Sequence, residues 1–449
     1  MKKYDFIIIG SGPVTMHTLK PKLKLTGQKG LVIESNKLGG TCPNYGCQPK
    51  IFLEGATRLV LASKKLLGKG LKQPALVNWK QLMKRKQKIF NAFPARFEKN
   101  LKSNNNIDII HGIAKFASKH SIQVNNQLFS SSKILIATGQ KPQKLPIKGY
   151  RWTADSNDAL NLKNLPKHIL IIGGGPVGME LASLFSAAGS EVEIIEQNNR
   201  TLLSFNSNQA KTVTQSMEKQ GVKFHLNQKI IEIFKQEENK LIAKTNTGLK
   251  IEGDYIIDAS GRIPNIGQLN LEKANIKYDK DGILVNDHLM TNTPGVFAAG
   301  DVIKKDFSIA PKLTPTSDLE GSYISKLFSD NKTNQPINYP AIAQGVFAFP
   351  EIAQVGVSLE VAKKQKEYYV IYHDLSNSFR YQGQNDDIAQ LYLIFDKHNQ
   401  LVGASEVSQS AVDDINYYVP LIGLKISQKK LYGTFENIMP SMGDKLPIN

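Results

Sequence analysis

One pattern occurs twice in this chain and limits its fold more than any other feature. An apolar run leads into a glycine-rich turn, then a stretch of helical composition, a second apolar run and an acid. The first copy reads Tyr4 to Ile9, Gly10-Ser11-Gly12-Pro13-Val14-Thr15, then Gly30-Leu31-Val32-Ile33-Glu34. The second reads His168 to Ile172, Gly173-Gly174-Gly175-Pro176-Val177-Gly178, a helical stretch from Met179 to Ala188, and Glu191 to Glu196. Strand, glycine turn, helix, strand and acid make a dinucleotide-binding unit. The glycines let backbone approach a pyrophosphate at a helix N-terminus, and the acid accepts from a ribose hydroxyl. Loop candidates are Gly10, Gly12 and Pro13 in one copy and Gly173, Gly175 and Gly178 in the other. Glu34 falls 24 residues after Gly10, and Glu196 falls 23 after Gly173. One such turn is a weak signal; two in order predict two dinucleotide sites.

The first copy departs from the pattern. Thr15 replaces the third glycine and is predicted to hold helix away from strand, and Pro21 is predicted to interrupt the helix. In the second copy Glu196 repels a 2′-phosphate, which favours NADH over NADPH, although Arg200 is a cation nearby. Two further apolar runs end in glycine turns, at Ile134 to Gly139 and at Val296 to Asp301.

Composition narrows the class. The 449 residues are 41% hydrophobic and 21% charged, a globular balance. No apolar run approaches the ~20 residues of a membrane span, and the N-terminal run is too short for a signal peptide. A cytoplasmic protein is expected. The net charge is +18, and residues 50–102 hold 14 Lys/Arg against two Glu. These bases are not interleaved with stacking aromatics, so they read as a solvated surface rather than a nucleic-acid site.

The chain has two cysteines, Cys42 and Cys47, which excludes a secreted disulfide scaffold. They lie in Gly39-Gly40-Thr41-Cys42-Pro43-Asn44-Tyr45-Gly46-Cys47-Gln48-Pro49-Lys50, directly after the first nucleotide unit. On one helical turn this spacing places both sulfurs near one face. A metal site lacks further His or Cys ligands nearby, and two inert thiols are the bland alternative. A disulfide exchanging electrons with a neighbouring cofactor is the economical account.

These motifs resemble the flavin-dependent pyridine nucleotide–disulfide oxidoreductases, the family of glutathione reductase, lipoamide dehydrogenase and mercuric reductase, over essentially the full length. The segment from Glu34 to Lys50 is most similar to glutathione reductase. Ala137-Thr138-Gly139, Ala259-Ser260-Gly261-Arg262-Ile263-Pro264-Asn265, Ala298-Ala299-Gly300-Asp301 and Phe349-Pro350-Glu351-Ile352-Ala353-Gln354-Val355-Gly356 match further family landmarks. The resemblance implies an α/β fold with two Rossmann-like domains, for FAD and NAD(P), plus a C-terminal α+β dimerisation domain. The FAD domain would span 1–148 and return at 267–336, with the NAD(P) domain at 149–266 and the dimerisation domain at 337–449. The resemblance adds Gly40, Thr41, Ala114, Thr138, Gly139, Gly261, Arg262, Gly300 and Asp301 to the cofactor-binding residues, with Asp301 on the FAD ribityl chain. Cys47 would touch the flavin and Cys42 would attack a small substrate disulfide. Lys50 would pair with Glu180 beside the flavin. A homodimer is implied, with no membrane partner.

One departure bears on the reaction. Where the family carries His-Pro-Thr-x-x-Glu, an acid/base segment reaching the partner's active site, this chain has Met439-Pro440-Ser441-Met442-Gly443-Asp444. Met439 cannot transfer a proton, and no histidine follows His398. Asp444 stands where the family's Glu stands. The expected function is NAD(P)H-dependent reduction of a low-molecular-weight disulfide, as in glutathione reductase. The alternatives are an NADH oxidase, diaphorase or metal-ion reductase on the same fold, and a degenerate redox sensor or nucleic-acid binder. The arginines that would hold an NADPH phosphate are replaced by Glu196 and Leu203.

Overall fold

The computed structural model describes residues 1–19, 27–103, 106–236, 240–306, 310–329 and 335–430. Pro21, Met439 and Asp444 lie outside these residues. The chain forms two compact units. The first comprises residues 1–50, 85–143 and 262–339, and the second residues 51–84, 144–261 and 340–449. Five helices matter below: α1 (Pro13–Thr18), α2 (Thr41–Tyr45), α3 (Cys47–Lys65), α4 (Pro176–Ala188) and α5 (Thr314–Phe328).

The core of the first unit is a five-stranded parallel sheet. Its strand order is Val296–Ala298, Ile134–Ile136, Phe6–Ile9, Gly30–Glu34 and Ile107–His111. Phe6, Ile7, Ile8 and Leu31 are fully buried, as continuous apolar runs must be in a sheet covered on both faces. Ligands of such sheets sit beyond the C-terminal strand ends, and the glycine loops leave from there. Helix α5 packs along α1.

The second unit repeats this plan. Its parallel sheet runs Thr153–Ala154, Tyr255–Asp258, His168–Ile172, Glu191–Ile195 and Lys223–His225. Glu193 is charged yet central and buried. His168 Nε2 at 3.0 Å, Lys223 Nζ at 3.1 Å and His225 Nε2 at 2.6 Å surround its carboxylate, which offsets the cost of burial. The C-terminal part is a five-stranded antiparallel sheet ordered Gln344–Val346, Glu351–Gly356, Leu401–Ser408, Gln390–Asp396 and Tyr368–Asp374.

The two glycine loops show what the third glycine does. A Cβ at Gly178 would lie 1.9 Å from the Gly173 carbonyl oxygen, so only glycine fits. At the equivalent place Thr15 is fully buried, and its Oγ1 donates to the Gly10 carbonyl at 2.8 Å. A hydrogen bond thus replaces close backbone packing, with the threonine Cβ standing farther from that carbonyl. No described helix is long and apolar enough to cross a membrane.

Candidate active site

The two loops are built alike. Gly10 N donates to Ile33 O at 2.8 Å and Gly173 N to Ile195 O at 2.9 Å, so each loop leaves its sheet in the same register. Each acid then closes its loop. Glu34 Oε2 accepts from Ser11 N at 3.0 Å and Oε1 from Asn36 N at 2.8 Å. Glu196 Oε2 accepts from Gly174 N at 2.6 Å and Oε1 from Asn198 N at 2.8 Å. Gly12 and Gly175 are N-caps, followed by Pro13 and Pro176 at N1, where the missing N–H costs nothing. Arg200 does not face a phosphate site. Its guanidinium donates to the carbonyls of Thr201, Leu202, Leu203 and Phe205 at 3.0–3.3 Å and shapes its own loop.

The cysteine segment is laid against the first glycine loop. Gly40 has φ +69°, and a Cβ there would meet the Gly12 Cα at 2.7 Å, so backbone touches backbone. Asn44 Nδ2 donates to Leu38 O and Gly40 O, both at 2.9 Å, and locks the turn that precedes α2. The two cysteines do not share one helical turn, as their spacing predicts. Gly46, with φ −139° and ψ −119°, ends α2, and α3 begins at Cys47. A side chain at Gly46 would crowd Thr41 at 3.3 Å, so the break is built into the sequence. The sulfurs remain neighbours across it.

Cys47 is exposed and Cys42 partly buried. Cys47 Sγ lies 3.7 Å from the Oγ1 of Thr314, at the start of α5. Hydrogen bonding to Cys47, then burial, pushes the Cys42 thiol well above its ordinary range, while the Thr314 hydroxyl pulls it down and Asp318 adds to the rise.

The residues at the remaining strand ends fit FAD. Thr138 Oγ1 and Asp301 Oδ1 are buried with no hydrogen-bond partner among the described residues. A hydroxyl-rich ligand chain would satisfy both groups. Burial raises the Asp301 carboxyl, and Lys305, Arg262 and Lys312 oppose the rise. Gly300 has φ +83°, and its N–H donates to Glu320 Oε2 at 2.5 Å. Glu320 is fully buried, with Lys305 Nζ 2.7 Å from Oε1 and the Tyr339 hydroxyl donating to it at 2.9 Å. Sequence reading missed this network because its members are brought together only by the fold. Ala114 is buried in the core, and Gly139 leaves its strand at φ +63°. Arg262 donates to Gln140 O at 2.9 Å, and Gly261 precedes it at the end of the second unit's middle segment. Thr41 is the first residue of α2. Lys50 belongs to the first unit and Glu180 to the second, where Glu180 Oε1 accepts from Phe347 N at 3.0 Å.

Two dinucleotide-type sheets, with a dithiol on the first loop, define a two-nucleotide redox protein. Comparison with known proteins names the class. Residues 4–321 match the pyridine nucleotide-disulphide oxidoreductases, and residues 342–447 match the dimerisation domain of the same family. The chain belongs to this family and is a flavin-dependent disulfide oxidoreductase using FAD and NAD(P)H, with two Rossmann-like domains and a dimerisation domain. It is 32% identical to a dihydrolipoyl dehydrogenase of Buchnera aphidicola, covering 91% of this chain and 88% of that one. It is 31% identical to a mercuric reductase of Lysinibacillus sphaericus, covering 81% and 66%. Among solved structures, the HOCl-induced flavoprotein disulfide reductase RclA from Escherichia coli superposes with a TM-score of 0.87 at 27% identity, covering 99% and 98%. The Cu(II) complex of that protein gives 0.86 at 26% identity, covering 98% of each chain. The family is shared with these relatives, whose names carry different substrates: a dihydrolipoyl group, mercuric ion and a disulfide.

Proposed function

We propose that this chain takes a hydride from NADH and delivers two electrons through FAD to the Cys42–Cys47 pair, and from there to a small disulfide. The observation that carries this reading is the backbone contact of Gly40 on Gly12, which brings the cysteine segment onto the FAD-type loop. Bound FAD supplies the hydride acceptor and the two-electron relay. The chain's own residues do the rest. Glu34 and the Gly10–Pro13 loop hold the adenosine and pyrophosphate end, while Thr138 and Asp301 hold the ribityl hydroxyls. Ala114, Gly139 and Gly300 line that site, Gly261 and Arg262 add further cofactor contacts, and Gly173, Gly175, Gly178 and Glu196 hold NADH. Lys50 and Glu180 are the lysine and glutamate assigned to the flavin's surroundings. The thiolate of Cys42 attacks one sulfur of the substrate disulfide and releases the other as a thiol. Cys47 then displaces the bound sulfur and restores the disulfide. The overall balance is NADH plus one proton plus one disulfide, giving NAD⁺ and two thiols.

FAD occupies the part of the chain from 1–148 and 267–336, NADH the part from 149–266, and the dimerisation segment 337–449 forms a homodimer. The deciding experiment is anaerobic titration of the purified yellow protein with NADH. Long-wavelength absorbance from a Cys47 thiolate against oxidised flavin supports the reading. Flavin bleaching with no such band overturns the dithiol step.

A second reading is a metal-ion reductase, favoured by Met439 in place of the family's histidine and by the mercuric and Cu(II) names among the relatives. A metal acceptor needs no acid at that position. Met439→His separates the two: raised disulfide turnover supports the first reading, and fast Cu(II) reduction by the unaltered protein with no gain in the variant supports the second.

A further inference from the structure

The family position that supplies a proton donor to the dithiol holds Met439, so proton control must come from elsewhere if the pair is to work. Helix α5 brings a candidate to the cysteines. Thr314 opens the helix, 3.7 Å from Cys47 Sγ. Asp318 and Ser322 follow at steps of four, on the same helix face. Opposite them on α1, His17 Nε2 lies 3.2 Å from Asp318 Oδ1, and Ser322 Oγ lies 3.5 Å from His17 Nδ1. The His17 and Asp318 side chains are 21% and 33% exposed, so both reach solvent.

We propose that His17 and Asp318 are positioning residues for the redox dithiol, a carboxylate–imidazole pair that governs when Cys42 gives up its proton. The proposal rests on the dithiol function above. An anionic Asp318 disfavours a second negative charge on Cys42, and an imidazole N–H donated to the carboxylate tempers that repulsion. The direction agrees with the thiol's surroundings, in which Asp318 raises Cys42 and the Thr314 hydroxyl lowers it. The groups acting on Cys42 are Cys47 from α3 and Thr314 and Asp318 from α5. On α2 itself the titratable neighbour is Tyr45, which donates to Asn36 Oδ1 at 3.0 Å. Glu320, the next acid on α5, is held by Gly300 N and Lys305. His17 is the titratable residue of α1. The pair is therefore a distinct local device, built from α1 and α5 and not from the dimerisation segment.

The test needs no turnover. With two cysteines in the chain, Cys47→Ser leaves Cys42 as the sole thiol, and its iodoacetamide alkylation rate against pH reads the Cys42 titration in FAD-loaded protein. Adding Asp318→Asn is expected to lower the midpoint by about one pH unit, a tenfold rise in thiolate below it. Adding His17→Leu, which removes the imidazole donor from the carboxylate's surroundings, is expected to raise it. Opposite shifts support the pair. An unmoved midpoint in Asp318→Asn overturns the proposal, as do shifts of both variants in one direction or a shift in Asp318→Asn alone. If Asp318→Asn fails to fold, Asp318→Ser removes the same charge. The long-wavelength band on anaerobic NADH titration of the parent reports separately on the dithiol reading.

Discussion

Glu34 and Glu196 occupy equivalent positions and make the same two bonds, one carboxylate oxygen to the loop amide and the other to the amide two residues on. Each acid is thus fixed at the mouth of its loop before any ribose arrives. For Glu196 this has a consequence for donor choice. A 2′-phosphate would meet a preorganised anion, and Arg200, four residues on in the sequence, is committed to four carbonyls of its own loop. NADH should exceed NADPH in kcat/KM by at least about tenfold, since like-charge juxtaposition costs on the order of several kcal/mol. Glu196→Ser should narrow the ratio chiefly by improving NADPH. Equal use of the two donors by the unaltered protein would refute the assignment.

Asp301 presents the opposite case, an acid whose partners within the protein are incomplete. Its Oδ1 is buried with no hydrogen-bond partner among the described residues, as is the Thr138 Oγ1. Hydrogen bonds to charged groups contribute roughly 1.5–3 kcal/mol, so Asp301→Ala should weaken FAD binding about 10- to 100-fold. Thr138→Val should cost less, because a neutral hydroxyl makes a weaker bond. Equilibrium dialysis against FAD, or the flavin-to-protein ratio after gel filtration, measures both. Undiminished FAD affinity in Asp301→Ala would move the ribityl site elsewhere.

The glycine loops were legible in the sequence because their constraint is local. Gly178 is required by the carbonyl five residues before it, and Gly173 by φ +107° at its own Cα. Spacing alone reaches such facts. The same local logic failed at Gly46, where a helical reading of Cys42 to Cys47 ran through a break that only the Thr41 contact explains. It could not see Thr15 exchanging backbone packing for a hydrogen bond, nor Glu193 gathering two histidines and a lysine from neighbouring strands. The basic 50–102 segment shows the limit most plainly. Ten of its 14 Lys/Arg are exposed, as a solvated surface requires, but Arg58 pairs with Glu351, Lys65 with the fully buried Asp386 at 3.3 Å, and Lys86 is almost wholly buried. Charge count carries no information about partners 293 or 321 residues away.

Arg58 and Glu351 form a pair whose loss should be felt throughout the second unit. Glu351 is 3% exposed and lies in the landmark Phe349-Pro350-Glu351 stretch, and its other oxygen accepts from Val412 N at 2.8 Å. Burial raises its carboxyl, and Arg58 is the main influence opposing that rise. Removing Arg58 strands a buried charge, which costs more than the pair itself is worth. Arg58→Ala should destabilise by roughly 2–4 kcal/mol, measured by urea unfolding. Adding Glu351→Gln should recover part of the loss, since the amide carries no charge to strand. A double variant less stable than Arg58→Ala would show that the carboxylate acts otherwise.

Lys86 tests burial with the opposite sign of charge. Its side chain is almost wholly buried, and burial, with the nearby Lys37 in second place, pushes its ammonium down to about 8. The unfolded chain keeps a proton on this lysine up to about 10.4. Between these values the unfolded state binds more protons than the folded one, so stability contributed by this group rises with pH across that window. Below about 8 both states are protonated and the penalty is constant and full. Lys86→Met keeps the carbon stem and removes the charge. It should raise the unfolding free energy at pH 7 by roughly 1–3 kcal/mol. That advantage should shrink steadily from pH 8 towards 10.5, where the folded lysine of the parent is neutral. Parallel stability curves for parent and variant over this range would show that the ammonium is not held in a desolvated site.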